Sequence, residues 1–553
     1  MGDTDAGSKW KVIIATFASV LLVTAIISVI VAATYNRARS EVVSTSKAVE
    51  AICSPTRYKA TCQHSLSKAN TTDHRKLIEA AITVAVGDVR AVLAVLLEAA
   101  KDPVTKGAFS VCRDVLARAV RDLRRSVGKV GGAFADAARA REYVSDLRTW
   151  LSAVVANQET CVDAFRNTTG DAGERMKRLL KTARELSSNG LAMVTDLSEY
   201  VGAFRLEKGG GRKMVVKEGG AFVGRRLADT ASLKPSIVVA KDGGGDFKTI
   251  NEALASLPKR NNDSFVVIHI KAGVYSENVE IPEGLNKIMF VGDGPSATRL
   301  TGKRSVAGGY QTYYTATLAI SGEDFLGKDL GVENTAGPEG YQALAVRVSG
   351  DRSILHNVRM DGYQDTLCAD THRQYYRNCT VTGTIDFVFG NGLALFQDCT
   401  FITRKPGPGQ ECVVTAQGRS DYNSNDAFII QNSRFTAELA FLAVRPMIAS
   451  YLGRPWKEMS RTIIMESEIG GFIEPEGWAP WVGTFGLDTC FYVEYENRGP
   501  GANTTGRVTW KGIHSLKGEQ INSWTGGVVY GGDDWIRDSG VPYVPTMMQV
   551  KGN

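Results

Sequence analysis

Three short signatures recur at almost one interval in the second half of the chain. They are His356-Asn357-Val358, Arg377-Asn378-Cys379 and Gln397-Asp398-Cys399, with central residues 21 and 20 positions apart, and Gln431-Asn432-Ser433 follows later. Between them lie short runs rich in Val, Ile, Phe and Thr, punctuated by Gly, Asn and Asp, such as Phe265 to Ile270 and Ile288 to Val291. Strand texture repeating at this period predicts a solenoid, a right-handed parallel β-helix over residues 234–553. The consequence is strict. Residues one coil apart become lateral neighbours about 4.8 Å from one another. Cys379 and Cys399 fall at equivalent places on adjacent coils, where a disulfide and two stacked free thiols are equally admissible.

The same spacing gathers polar groups. Gln342 and Gln364 are 22 residues apart, and Asp365 and Asp386 are 21 apart. Stacked amides and carboxylates also form stabilising ladders in such folds; the combination at coil spacing singles these four out as a candidate catalytic set. Two neighbouring carboxylates do not both ionise freely, so one pKa rises while the other stays low. One residue type thus supplies an acid/base and a nucleophile. The amides are neutral donors suited to a developing oxyanion. Arg454 in Tyr451-Leu-Gly-Arg-Pro-Trp456 offers a cation to keep the nucleophile ionised, and Trp456, with Trp478 and Trp481, offers platforms for sugar rings. There is no Gly-x-Ser-x-Gly elbow, and the six histidines have no metal-binding spacing, so serine and zinc hydrolysis are poorly supported.

The first half has a different texture. At 553 residues several domains are expected. Residues 46–205 are rich in Ala, Leu, Val, Arg and Lys, with apolar residues at intervals of three and four (Leu77, Ile78, Ala81, Val84, Ala85), which predicts a helical bundle. No cluster of acids, bases or nucleophiles stands out there, so the bundle reads as a binding module. Before Lys234 the chain holds 35 Lys/Arg and 24 Asp/Glu, against 30 and 35 from Lys234 onward. Without a zinc-finger spacing, an RNP-like motif or a heptad, the basic surplus reads as solvated helix faces and not as a nucleic-acid surface.

Several features point to the secretory pathway. Val12 to Tyr35 is an almost unbroken apolar run flanked by Lys9, Lys11, Arg37 and Arg39, long enough to favour a signal anchor within residues 1–45 over a cleaved signal peptide. Membrane contact is expected through this segment alone. Cys53, Cys62, Cys112 and Cys161 make an even set in the helical part, consistent with two bridges in any of three connectivities. Sequons for N-glycosylation stand at Asn70, Asn167, Asn262, Asn378 and Asn503. Residues 206–233 turn to Gly, Lys and Arg, an exposed linker that ends in Arg225-Arg226-Leu227-Ala228, a dibasic site for a processing protease.

Two resemblances sharpen these expectations. Cys53 and Cys62, Asn157-Gln-Glu-Thr-Cys-Val-Asp163 and Ser188-Asn-Gly-Leu-Ala192 resemble the pectin methylesterase inhibitor domain. That likeness implies a four-helix bundle with an amino-terminal hairpin and disulfides pairing first with second and third with fourth. The basic helix after Cys112 departs from the acidic pattern usual in that family. Gly362-Tyr-Gln-Asp-Thr-Leu367, Gly383-Thr-Ile-Asp-Phe-Val-Phe-Gly-Asn391, Val414-Thr-Ala-Gln-Gly-Arg419 and Leu452-Gly-Arg-Pro-Trp-Lys457 resemble the plant pectin methylesterases over nearly all of residues 235–553. By that resemblance Asp386 attacks the methyl ester of a galacturonate in pectin, and Asp365 is the acid and then the base. Gln342 and Gln364 hold the oxyanion, Arg454 orients Asp386, and Trp456 binds the sugar chain. No metal or organic cofactor is implied. The implied partners are methyl-esterified pectin, the chain's own inhibitor-like domain and separate inhibitor proteins, and the implied place of action is the plant cell wall, reached through the secretory pathway with the precursor anchored in the Golgi membrane. Cys368, Gly392 and Cys490 depart from the usual Tyr, Ala and Leu or Tyr.

Overall fold

Apolar residues at helical spacing become six helices, here α1 (Thr45–Cys53), α2 (Lys59–Leu66), α3 (His74–Val95), α4 (Pro103–Gly132), α5 (Ala140–Asp163) and α6 (Ala172–Lys208). They belong to a computed structural model that describes residues 45–95, 103–132, 140–208 except 167 and 169, 234–258 and 264–548. In α3 the buried positions are Leu77, Ile78, Ala81, Ile82, Ala85, Val89 and Val92, one stripe of an amphipathic helix. The four long helices α3 to α6 bury such stripes against one another around one apolar core, with α1 and α2 as a hairpin at one end. Disulfides join Cys53 to Cys62 and Cys112 to Cys161, the pairing implied by the family likeness.

From Ile237 onward the chain winds into parallel coils. One face is a 17-stranded sheet, and another is a narrower sheet of seven strands: Val279–Ile281, Leu318–Ile320, Val346–Val348, Leu367–Ala369, Val388–Gly390, Cys412–Gln417 and Ser450–Gly453. A long apolar core fills the coil interior from Val239 to Tyr492. The carboxyl-terminal helical turns cover the outside of the broad sheet with Ile521, Tyr530, Ile536 and Val541.

The recurring signature has a backbone cause. Asp329, Asn357, Asn378, Asp398, Asn432 and Glu466 all adopt left-handed φ values, from 48° to 57°, at one corner of successive coils. Short polar side chains tolerate that conformation, and they hydrogen-bond up the stack: Asn357 Nδ2 donates to Asp329 Oδ1 at 2.6 Å and Asn432 Nδ2 to Asp398 Oδ1 at 2.6 Å.

One open alternative is decided against the disulfide, and two expectations need correction. Cys379 and Cys399 are free, buried thiols. In-register parallel strands keep the Cβ atoms as far apart as the strands, about 4.8 Å, where a disulfide wants about 3.8 Å, and the thiols instead donate to main-chain carbonyls such as Leu355 O and Tyr376 O. The basic surplus is not simply solvated, because Arg118 of α4 is buried against the β-helix. Trp478 is 1% exposed, stacked on Tyr492 at 4.2 Å and bonded to Glu494, so it belongs to the core and is no sugar platform.

The apolar run 12–35, Arg225, Arg226, Asn167 and Asn262 lie outside the described residues. Asn70, Asn378 and Asn503 are exposed. Among the described residues no helix is long and apolar enough to cross a membrane.

Candidate active site

The seven-stranded sheet fixes the aspartate pair. Leu367 pairs with Val388 in register, so Asp365 and Asp386, two residues earlier, stand side by side on adjacent coils, and Asp365 N donates to Ile385 O at 3.0 Å. Both aspartates have left-handed backbone, φ 65° and 50°, at the turn into the strand. The motif glycines are steric requirements. A Cβ on Gly383 would lie 2.2 Å from Phe387 Cβ and 2.7 Å from Tyr363 O, and one on Gly362 would lie 2.6 Å from Thr366 Oγ1.

Arg454 arrives from the strand Ser450–Gly453 and grips Asp386 with both ends of its fork, Nε to Oδ1 at 2.8 Å and Nη2 to Oδ2 at 2.7 Å. Trp481 packs over the guanidinium at 4.5 Å, and Trp456 meets Phe389 edge-on at 5.7 Å. Asp365 has no such clamp. Burial, and then the Asp386 charge beside it, push its carboxyl well above the usual range. Burial raises Asp386 too, but Arg454 pulls it back, so of the two Asp365 holds the proton and Asp386 the charge.

Gln342, Gln364, Asp365, Asp386, Arg454, Trp456 and Trp481 line a single cavity of about 450 Å³. The two amides are not strictly stacked. Val346 pairs with Leu367, a step of 21 that sets Gln342 opposite Tyr363, one residue short of Gln364. They reach the same cavity from neighbouring positions. Phe389, Cys368, Ala416 and Leu344 form its apolar floor; the alternation of the strands was the signal for them.

Gln311, Thr312, Tyr313 and Asp370 of the β-helix and one end of the helical bundle complete the wall. Val111, Thr160, Asp163, Ala164 and Arg166 line the cavity from α4, α5 and the turn after α5. These residues flank Cys112 and Cys161, so the disulfide staples the end of the bundle that faces the groove. The contact is strongly charged. Arg118 reaches Glu283 and Asp370 at 3.4 and 3.7 Å, Arg125 pairs with Glu323, and Lys457 Nζ lies 2.8 Å from Asp163. Arg373 bridges Asp351 of the β-helix, at 2.6 Å, and Asp146 of α5, at 2.8 Å. Burial alone would push Asp351 up, but Arg373 holds it well below the usual carboxylate range. Trp150 Nε1 donates to the same Asp351, and Ser188 Oγ to Asp421 at 2.5 Å.

A parallel β-helix with an arginine-clamped aspartate pair in a groove, closed by a disulfide-bonded helical bundle, defines a two-part β-helical hydrolase of the carboxylic ester type. Comparison with known proteins gives it a family. The family described as Pectinesterase matches residues 236–533, and the one described as Plant invertase/pectin methylesterase inhibitor matches residues 47–193. A pectinesterase/pectinesterase inhibitor of Solanum lycopersicum is 36% identical over 97% of this chain and 96% of its own. A pectinesterase of Petunia integrifolia is 46% identical over 68% of this chain and all of its own. The solved pectin methylesterase from carrot superimposes with a TM-score of 0.56 at 44% identity, covering 57% of this chain and 99% of its own. The chain belongs to the pectinesterase family and carries an inhibitor-type helical domain in front of the esterase part.

Proposed function

We propose that the chain hydrolyses methyl esters of homogalacturonan, releasing methanol and leaving free carboxylates on the polymer, and that it does so at the plant cell wall. The observation that carries this reading is the geometry of the aspartate pair, with Asp386 held by both ends of the Arg454 fork and Asp365 buried beside it without such a clamp, which favours the charge on Asp386 and the proton on Asp365.

The chemistry follows from that division. Asp386 attacks the ester carbonyl carbon, and the oxyanion takes hydrogen bonds from the side-chain amides of Gln342 and Gln364. Collapse breaks the bond to methoxide as Asp365 gives it a proton, so methanol departs and an acyl-enzyme remains. Asp365, now ionised, takes a proton from water as that water attacks the acyl carbon, and Asp386 leaves as carboxylate. One ester and one water become one acid and one methanol. Trp456 lies on the cavity wall where a sugar ring would stack.

The reading extends to the whole chain. Residues 46–205 act as an autoinhibitory pro-domain, supported by Val111, Thr160, Asp163 and Arg166 on the wall of the same cavity. Residues 206–233 form a linker cut at Arg225-Arg226 by a processing protease, residues 1–45 target the chain to the secretory pathway as an anchor retained in the Golgi, and separate inhibitor proteins compete for the same rim once the bundle has left.

The deciding experiment is methanol release from pectin by residues 234–553 and by the full chain. Release by the separated part and less by the full chain is expected. Asp386→Ala should lower turnover roughly a thousandfold or more; normal turnover in that variant would sink the mechanism.

A further inference from the structure

Lys457 directly follows Trp456, a residue of the cavity wall, and pairs with Asp163, another residue of that wall. Its ammonium is 2.8 Å from Asp163 and 3.6 Å from Glu159, and 5.3 Å from the centre of the Trp456 ring. Both carboxylates belong to the bundle. They are four residues apart on α5, hence on one face of the helix. Among the described residues these are the carboxylates within 4.0 Å of Lys457. The β-helix itself gives this cation an aromatic neighbour and no counter-ion. Asp163 meanwhile lines the cavity that holds Asp365 and Asp386.

When the bundle leaves, both anions leave with it, and an ammonium is uncovered next to the sugar platform. A cation in that state gains from any carboxylate that can reach it, since the alternative partner is water alone. The polymer that enters the groove carries two kinds of unit, esterified and free, and only the free unit has a carboxylate to offer. We infer that Lys457 is a carboxylate subsite that recognises an already de-esterified galacturonate unit in the groove, and that Asp163 of the helical domain occupies this subsite as a stand-in for that carboxylate. The inference rests on the demethylation reading for the identity of the polymer. It adds a direction to the reaction. Each hydrolysed ester creates the anion Lys457 holds, so a partly de-esterified stretch becomes a better substrate than an untouched one, and the product also competes for the place the bundle occupies.

The test is a binding titration that does not depend on turnover. It uses residues 234–553, whose carrot counterpart stands as a folded chain without the bundle. A de-esterified oligogalacturonate and its fully methyl-esterified counterpart are titrated into the parent, Lys457→Met and Lys457→Arg, each in an Asp386→Ala form for this titration so that the ester is not hydrolysed, following the fluorescence of the groove tryptophans. For the de-esterified oligomer, Lys457→Met should weaken binding roughly fivefold to tenfold and flatten its salt dependence, and Lys457→Arg should restore it to within about twofold. The esterified oligomer should bind parent and Met variant within about twofold of each other. Equal affinity of parent and Met variant for the de-esterified oligomer overturns the subsite, as does an equal loss for both oligomers, which would mark Lys457 as a structural residue. Methanol release by the parent reports separately on the demethylation reading, which can fail while the lysine-dependent binding stands.

Discussion

Arg454 donates to both carboxylate oxygens of Asp386, at 2.8 and 2.7 Å, while Asp365 on the adjacent coil receives no such contact. A planar fork can hold a carboxylate in one orientation, whereas the point charge of a lysine cannot. Arg454→Lys should therefore keep the net charge of the site, lower kcat by roughly tenfold to a hundredfold and change KM little. Steady-state kinetics on methyl-esterified pectin, with circular dichroism to verify the fold, checks this. A kcat close to that of the parent would show that charge alone suffices.

The raised pKa of Asp365 has a stability consequence of definite sign. A carboxyl whose folded pKa lies above its unfolded value binds more protons in the native state, so unfolding free energy falls as pH rises between the two values. Its stability is fully present below about pH 3.9 and is lost as pH climbs through the folded pKa. Asp365→Asn abolishes that loss. The variant should be inactive yet melt higher than the parent at neutral pH, with the difference shrinking towards pH 4. A melting difference that did not vary with pH would argue that Asp365 is not held protonated.

The cysteines divide by domain. Alkylating the denatured, unreduced chain should modify Cys368, Cys379, Cys399, Cys412 and Cys490 and spare the four of the bundle. If Cys379 and Cys399 were bridged, peptide mapping would find both unmodified. Reduction should then destabilise the bundle selectively, because the Cys112–Cys161 bridge spans 49 residues and the loss of that loop constraint is worth about 4 kcal/mol in the chain-entropy picture.

Much of the site was legible because it is local to the coil. Asp365 and Asp386 are 21 residues apart and the strands that follow them pair in register, so the interval in the sequence is the geometry. The same arithmetic misplaced Gln342 by one position, since its step to Gln364 is 22 while the sheet steps by 21. The period also fails further along. Gln397 pairs with Gln431 and Gln431 with Met465, steps of 34, because loops inserted between strands lengthen those coils without altering the register. Trp478 and Trp481 are indistinguishable by composition, and only the packing of Tyr492 decides that the first is core. The resemblance to an inhibitor domain implied that the bundle is a partner of the esterase part, but the contacts that close the groove were not legible. Arg125 and Glu323 are 198 residues apart in sequence, and no local pattern ties them.

The cap itself should respond to the loss of that long-range pairing. Arg118, with Glu283 and Asp370, and Arg125, with Glu323, project from one stripe of α4 onto acidic groups of the β-helix. Salt screens such contacts in part, and each removed partner leaves a carboxylate better satisfied by water once the bundle lifts. In the full chain, Arg118→Ala with Arg125→Ala should shift the balance towards the open groove and raise methanol release. Each 1.4 kcal/mol of lost contact is worth about tenfold, up to the rate of the separated residues 234–553. Added salt should raise the parent's rate in the same direction and the variant's rate less. The separated part, which lacks α4, should show neither effect. A full-chain rate unmoved by both the double substitution and salt would mean that the bundle is held by its apolar and neutral contacts, with Trp150 and Ser188 the next residues to replace.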